Sequence, residues 1–342
     1  MAASYRQRAT ILMGLPPLLD ELGVPLDRVL DGAGLSAADL SPGTFLPYAQ
    51  FLALLDRAAE LSGCDDLGVR LARRLSLAAL GPAGQVMRHA ATLGEALNDY
   101  VQFQIWNSTG GSAYVYQTPQ DVAFGYGIYD PAGYEALQIH DLVLGAGCRL
   151  IFLLTDHRVR PLELWLMRPP SADPRPLATF AGCPVYYERE QTCIFLPPEA
   201  LEFPLKDADS RAHNEALSRL ASLTAAGPWG KAAAVRHALR TSITTGRIVM
   251  PEISGRLGQH TRSLRRALEK EGTTFAALRE EVRYTVAREL LSLTPLPMSE
   301  IASALGFSGS STFSHSFRHW SGTTPTNWRR KYTRNCHSAV SV

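Results

Sequence analysis

The stretch MSEIASALGFSGSSTFSHSF, residues 298–317, begins as an apolar helix pattern, dissolves into small polar residues and resumes at once with aromatics. Pro297 precedes it, and proline suits a helix's first turn, where its missing N–H removes no bond. Ile301, Ala302 and Leu305 then share one face at helical spacing. Gly306 can enter the left-handed region that ends a helix. Ser308 or Ser310 can cap a second helix, whose apolar face is Phe313, Phe317 and Trp320, at i, i+4 and i+7. The reading is helix, tight turn, helix.

The same grammar occurs upstream, in MPEISGRLGQHTRSLRRALEKEGTT, residues 250–274. Ile253, Leu257 and Gly258 stand 48 residues before Ile301, Leu305 and Gly306, and Leu264 and Leu268 stand 49 before Phe313 and Phe317. Thr273-Thr274 returns 50 residues later as Thr323-Thr324. An internal repeat takes priority over any single motif. Between the copies, Phe275, Leu278, Val282, Val286 and Leu290 mark one amphipathic helix of about 19 residues, roughly 28 Å long. Two units held at that separation match successive major grooves, about 34 Å apart on one face of DNA. The small polar residues of the opening stretch then have a use. A recognition helix needs one apolar face for its own domain and one short, hydrogen-bonding face for base edges.

Charge supports the division. From Lys231 onward the chain has 17 lysines and arginines against 7 acids, a surplus of ten. The first 230 residues hold the other 17 bases against 25 acids, a deficit of eight. One end wants a polyanion and the other does not.

Composition excludes several classes. With 342 residues, 46% hydrophobic and 19% charged, the chain is expected to form two ordinary globular domains. LVLGAGCRLIFLL, residues 142–154, is shorter than the roughly 20 residues of a membrane span and carries Arg149. YRQRATILMGLPPLL near the start imitates a signal peptide but has no small-residue cleavage site, and Asp20-Glu21 follow it, so it reads as an ordinary helix. A cytoplasmic, nucleoid-associated location is expected. The five cysteines (Cys64, Cys148, Cys183, Cys193, Cys336) are odd in number, scattered and without a CxxC pair, which argues for reduced thiols. No cofactor is expected.

The C-terminal pattern runs from the apolar IA…LGF through FS.SF to G..P..WR. Ile301, Ala302, Gly306, Phe307, Phe313, Phe317, Gly322, Pro325 and Arg329 carry it. With the upstream repeat, it resembles the DNA-binding domain of AraC/XylS-type regulators over about a hundred residues. The resemblance implies two helix-turn-helix units joined by a long helix, an all-α domain over 233–334. The family usually has serine at the first recognition helix's cap, where this chain has His260.

In the first unit the outward face presents Thr261, Arg262, Arg265 and Arg266. Arginine can pair bidentately with guanine O6 and N7, whereas phosphate contacts set register. The resemblance places base contacts at Arg262, Arg265 and Arg266. In the second unit Ser310, Ser311, Thr312 and His315 face outward, with Arg318 one turn on. Hydroxyls discriminate bases weakly, so this unit is expected to orient on the backbone more than it reads sequence. His315 and His319 have half the spacing of a zinc site but no third ligand, and no metal is expected.

The acidic half reads as α+β. Residues 1–95 are largely helical, and SAYVYQTPQDVAFGYGIY, residues 112–129, forms two strands around a polar turn. A helix follows over 134–154, and PLELWLM, CPVYYERE and TCIFLPPEAL supply further strands around the short helix PRPLATFAG. The expectation is a helical part, then a small, mostly antiparallel sheet with crossing helices. Phe180, Gly182, Cys183, Pro184 and Val185, followed by LPPEALEFPL, resemble the arabinose-binding-like regulatory domain of one branch of these regulators. That implies an effector-binding or dimerising domain over 1–225, without implying arabinose. Trp106, Tyr114, Tyr116, Tyr126, Tyr129 and Trp165 are candidates for lining a pocket. LASLTAAGPWGKAAAV supplies a linker, 226–232, and 335–342 read as a disordered tail.

The reading is a transcription regulator whose partners are double-stranded promoter DNA, a small-molecule effector, a second copy of the chain and RNA polymerase. Two alternatives stay open: an architectural DNA-binding protein without an effector, and a DNA alkyl-transfer enzyme, for which NCHS at Cys336 gives only a superficial Cys-His pair. GFSGSS is not G-x-S-x-G, and GAGCRL breaks G-x-G-x-x-G at Leu150. No enzyme is expected.

Overall fold

The computed structural model of the chain describes residues 5–130, 132–243 and 248–333, so Cys336 and the expected tail lie outside the described residues. Contacts divide it into two units, one of Tyr5–Gly227 and one that begins at Pro228.

Helices dominate the first hundred residues, among them Leu15–Glu21, Tyr48–Ser62, Leu67–Arg73 and Leu93–Phe103. Two short strands interrupt them, β1 (Arg6–Arg8) and β2 (Phe45–Pro47), which pair antiparallel. The signal-like stretch therefore opens as a strand edge before it turns helical, and three residues are too few to show alternation in sequence.

A five-stranded sheet follows: β3 (Gly111–Gln117), β4 (Val122–Ile128), β5 (Glu163–Trp165), β6 (Val185–Tyr186) and β7 (Cys193–Leu196), in the order β3-β4-β7-β5-β6. All pairings are antiparallel except β5 with β6. The expected hairpin is β3–β4, and its turn closes on side chains: Thr118 Oγ1 donates to Asp121 Oδ1 at 3.0 Å and accepts the Asp121 N–H at 3.2 Å.

The helix Leu137–Thr155 crosses this unit and is buried at most of its positions, which accounts for its near-continuous apolar run. A Cβ on Gly145 would come within 2.6 Å of Ala72 Cβ, so glycine lets this helix approach Leu67–Arg73 closely. Asp141 on the same helix receives Arg168 in a buried pair, with Nη2 2.7 Å from each carboxylate oxygen. His140 stands 2.8 Å from Thr192 Oγ1, and burial, aided by the Arg168 charge, lowers its pKa to about 4. Of the six aromatics named above, Tyr126 alone lines the unit's apolar cavity. Tyr114 and Tyr116 pair with each other at 5.2 Å, and Trp165 packs on Phe195 at 5.0 Å.

The second unit is helical throughout its described residues: Lys231–Ser242, Met250–Arg256, Thr261–Lys270, Phe275–Leu293, Met298–Ala304, Ser310–Ser321 and Pro325–Tyr332. The connecting helix is 19 residues long, as its pattern requires. Gly258 and Gly306 end matching helices at φ 62° and 68°, a conformation that a side chain would strain. The repeated threonines also have a shared purpose. Thr274 caps the long helix by accepting the Ala277 N–H at 3.1 Å, and Thr324 caps the last helix by accepting the Asn327 N–H at 3.2 Å.

Candidate nucleic-acid interface

Each helix-turn-helix unit is built outward from its buried side chains. In the first, Ile253, Leu264 and Leu268 are fully buried, which turns the opposite face of Thr261–Lys270 to solvent. In the second, Ile301, Leu305, Phe313 and Phe317 are buried, and the interior is aromatic. Phe317 lies 5.8 Å from Phe313, 5.4 Å from Trp328 and 5.9 Å from Tyr284, ring to ring. The aromatics after the polar break in residues 298–317 are this cluster.

Arginines brace the framework from inside. Arg240 and Glu289 form a buried two-point pair at 2.9 and 2.6 Å, joining Lys231–Ser242 to the long helix. Arg236 meets both oxygens of Glu281 at 2.8 and 2.9 Å. Arg283 donates to the carbonyls of Leu305 and Gly306, each at 2.9 Å, and lies 4.3 Å over the Phe307 ring. It thereby satisfies the open end of helix Met298–Ala304 and fixes the turn. Arg329 donates to Leu296 O at 2.7 Å, tying the last helix to the end of the long one. Burial lowers the pKa of both Arg283 and Arg329. Part of the basic surplus is therefore structural. Sequence reasoning also missed Glu271, whose carboxylate accepts the N–H groups of Lys231 and Ala232 at 2.7 and 2.8 Å and caps a helix 40 residues away.

The expected contact residues fall into two groups. Arg262, Arg265 and Arg266 are exposed on one helix, and none of them has an ion pair or hydrogen bond among the described residues. Ser310, Ser311, His315 and Arg318 are likewise exposed on the second helix. Thr261 and Thr312 differ. Thr261 is half-buried, with its hydroxyl 3.2 Å from Ser254 Oγ, so it joins the two helices of its unit. Thr312 donates to Gly309 O at 2.9 Å and stands 3.1 Å from Ser308 Oγ.

The second recognition helix starts differently from the expectation. Neither Ser308 nor Ser310 caps it: Gly309 occupies the cap position in an extended conformation, and the helix begins at Ser310. His260 caps the first recognition helix without a side-chain bond, and that helix still begins at Thr261. Neither start has a side-chain cap on its first backbone N–H groups, which leaves them open to phosphate.

Comparison with known proteins agrees. The arabinose-binding domain of AraC transcription regulator, N-terminal, matches residues 23–205, and a helix-turn-helix domain matches residues 253–331. The transcriptional regulator VirS of Mycobacterium tuberculosis is 29% identical over 331 residues, covering 94% of this chain and 96% of its own. The ornithine utilization regulator of Pseudomonas aeruginosa is 28% identical over 333 residues, covering 91% of this chain and 93% of its own. The crystal structure of the regulator CdpR from Pseudomonas aeruginosa aligns with 90% of this chain and 96% of its own, at 22% identity and a TM-score of 0.44. The chain belongs to the AraC family of transcriptional regulators, in the branch that carries the arabinose-binding-type N-terminal domain before its helix-turn-helix region.

Proposed function

We propose that the second unit reads promoter DNA with both recognition helices, through Arg262, Arg265 and Arg266 on the first and through Ser310, Ser311, His315 and Arg318 on the second. The supporting observation is the trio of exposed arginines without partners among the described residues, set on a helix whose other face is buried. Thr261 and Thr312 hold the helix starts, so substitutions there act through geometry. The first unit (1–225) senses a small molecule and pairs two copies of the chain, and 226–232 join it to the reading domain. Ligand binding acts by favouring one of two arrangements, since a ligand shifts an equilibrium only by its differential affinity. The protein works on chromosomal DNA in the cytoplasm, beside RNA polymerase, and carries out no chemistry of its own. Burial pushes the Cys64 thiol up to about 11 and the Cys183 thiol up to about 12, opposite to what a thiolate nucleophile requires.

Footprinting of the full-length protein on the promoter regions next to its own gene tests this. The expected result is two protected major-groove patches about 10 base pairs apart on one DNA face, a distance of one helical turn. Uniform, salt-sensitive binding with no preferred site would assign the protein to the architectural class instead.

A further inference from the structure

A cavity of about 60 Å³ lies in the N-terminal unit, where the helix Leu137–Thr155, the β3–β4 hairpin and strand β1 meet. Phe124, Leu144, Leu150 and Ile194 give it apolar walls. Arg8 is the one charged residue among those that line it, and its charge is held elsewhere. The guanidinium lies 4.3 Å over the Trp106 ring and 5.6 Å over the Phe45 ring, neither of which lines the cavity. Its Nε and Nη1 are closed off from water, and a Cβ on exposed Gly43 would stand 3.8 Å from Nη2. Among the described residues no carboxylate lines the cavity. A charged ligand would therefore be buried there without a counter-ion, at high cost.

The polar groups that do open inward are neutral. Gln104 follows the helix Leu93–Phe103, and its backbone carbonyl accepts the N–H groups of Asn107 and Ser108 at 2.8 and 3.0 Å, which fixes the turn that carries it. It lines the cavity and is only 2% exposed, and its carboxamide has no hydrogen-bond partner among the described residues. Yet that carboxamide is not closed off from water, as Asn107 Nδ2 is. On a residue so deeply buried, the space that reaches the carboxamide is the cavity the residue lines. Gln7 on strand β1 repeats the arrangement at 5% exposure: Nε2 donates to Arg8 O at 3.3 Å, and Oε1 has no partner among the described residues and is not closed off.

Two carboxamides thus offer one donor group and two acceptors, without charge. Water answers them only in part. A buried water needs two to four polar partners, and the walls at Leu144 and Leu150 supply none, so water held there is displaced with a gain by a hydrocarbon group. The complement is a neutral group that both donates and accepts, on a short apolar remainder. Its size follows from the volume: at about 10–15 Å³ for each water-sized group, the cavity admits about four to six heavy atoms.

We propose that this cavity binds a short-chain, uncharged molecule bearing one hydroxyl or primary amide, with that group on Gln104 and Gln7 and its hydrocarbon end against Leu144 and Leu150. The proposal rests on the reading of this unit as the sensor and names the chemical class that it senses. The carboxamides select for a donor–acceptor group, and the lack of an inward charge rejects the corresponding acid and amine.

Calorimetric titration of the full-length protein with 1-butanol and butyramide, beside butyrate, butylamine and 1-chlorobutane, tests it. Saturable binding of the alcohol or the amide, with none for the acid or the amine at the same concentration, is the expected result. Gln104→Met, which keeps the length and removes the carboxamide, should weaken that binding about threefold to tenfold, the worth of one neutral hydrogen bond, and leave 1-chlorobutane unaffected. The comparison of ligands uses the unaltered protein, so it stands even if the variant misfolds. Absence of saturation by both alcohol and amide overturns the site and leaves the cavity to water. Equal binding of butyrate or butylamine overturns the selection against charge, and equal binding of 1-chlorobutane overturns the role of the carboxamides. Binding that leaves promoter affinity unchanged upholds the site and removes the sensor reading, which separates the two failures.

Discussion

The two helix-turn-helix units share a backbone plan and little else. Their turns use glycine at the same place, Gly258 and Gly306, and the helices after them place buried residues in the same register. Inside, however, Leu264 and Leu268 stand where Phe313 and Phe317 stand in the second unit. Outside, three arginines on the first helix correspond to two serines, a histidine and one arginine, Arg318, on the second. The repeat thus preserves geometry while exchanging chemistry. Charge is concentrated on the first recognition helix, and the second offers short groups on a more heavily packed base.

The interior difference gives the largest expected effect. Phe317→Ala should destabilise the C-terminal unit by about 3–5 kcal/mol, within the usual range for a buried aromatic. Leu268→Ala, at the matching position, should cost less by roughly 1 kcal/mol, because it loses no ring pairs such as those with Phe313 and Trp328. Native-state hydrogen exchange of the Val286 and Leu290 amides, on the helix shared by both units, measures both losses. Equal losses would mean that the aromatic cluster adds area but no specific ring contacts.

Much of this architecture was legible before any coordinate, because its signals are local. Helical spacing, a glycine stop and the doubled threonines each lie within a few residues, and the repeat let one copy vouch for the other. The β3–β4 hairpin was legible for the same reason: alternation on both sides of Thr118–Asp121. Features made by distant partners were not. Glu271 caps a helix 40 residues away, and strands β1 and β2 find each other across nearly forty residues of helix. The nine expected contact residues were chosen by face, but spacing could not show that the hydroxyls of Thr261 and Thr312 are held internally. Nor could it separate Arg240, buried against Glu289, from the exposed Arg265, since an arginine's role is set by what folds over it.

The exterior difference should appear in DNA affinity. Arg265→Ala is expected to cost about 1–3 kcal/mol on the cognate site and to relax preference at one base pair. Ser311→Ala should cost under about 1 kcal/mol, the net worth of one neutral hydrogen bond. Binding measured against a set of singly substituted sites distinguishes the two. A larger, base-selective loss for Ser311→Ala would reverse the assignment of reader and anchor.

Salt dependence gives the smallest effect and the sharpest division of labour. Each phosphate neutralised by a cationic side chain adds about 0.9 to the slope of log affinity against log salt. Arg266 stands beside Arg265 on the exposed face and has no partner among the described residues, so its replacement by alanine should lower that slope by about one such unit on any DNA sequence. Arg318→Ala should do the same from the second unit, whereas Ser310→Ala should leave the slope unchanged, because a neutral hydroxyl releases no counterion. If Arg266→Ala instead spares the slope and weakens only the cognate site, Arg266 reads a base and the first helix carries sequence recognition through all three arginines. The phosphate contacts would then belong to the second unit, and the asymmetry between the two halves would be larger than their surfaces already indicate.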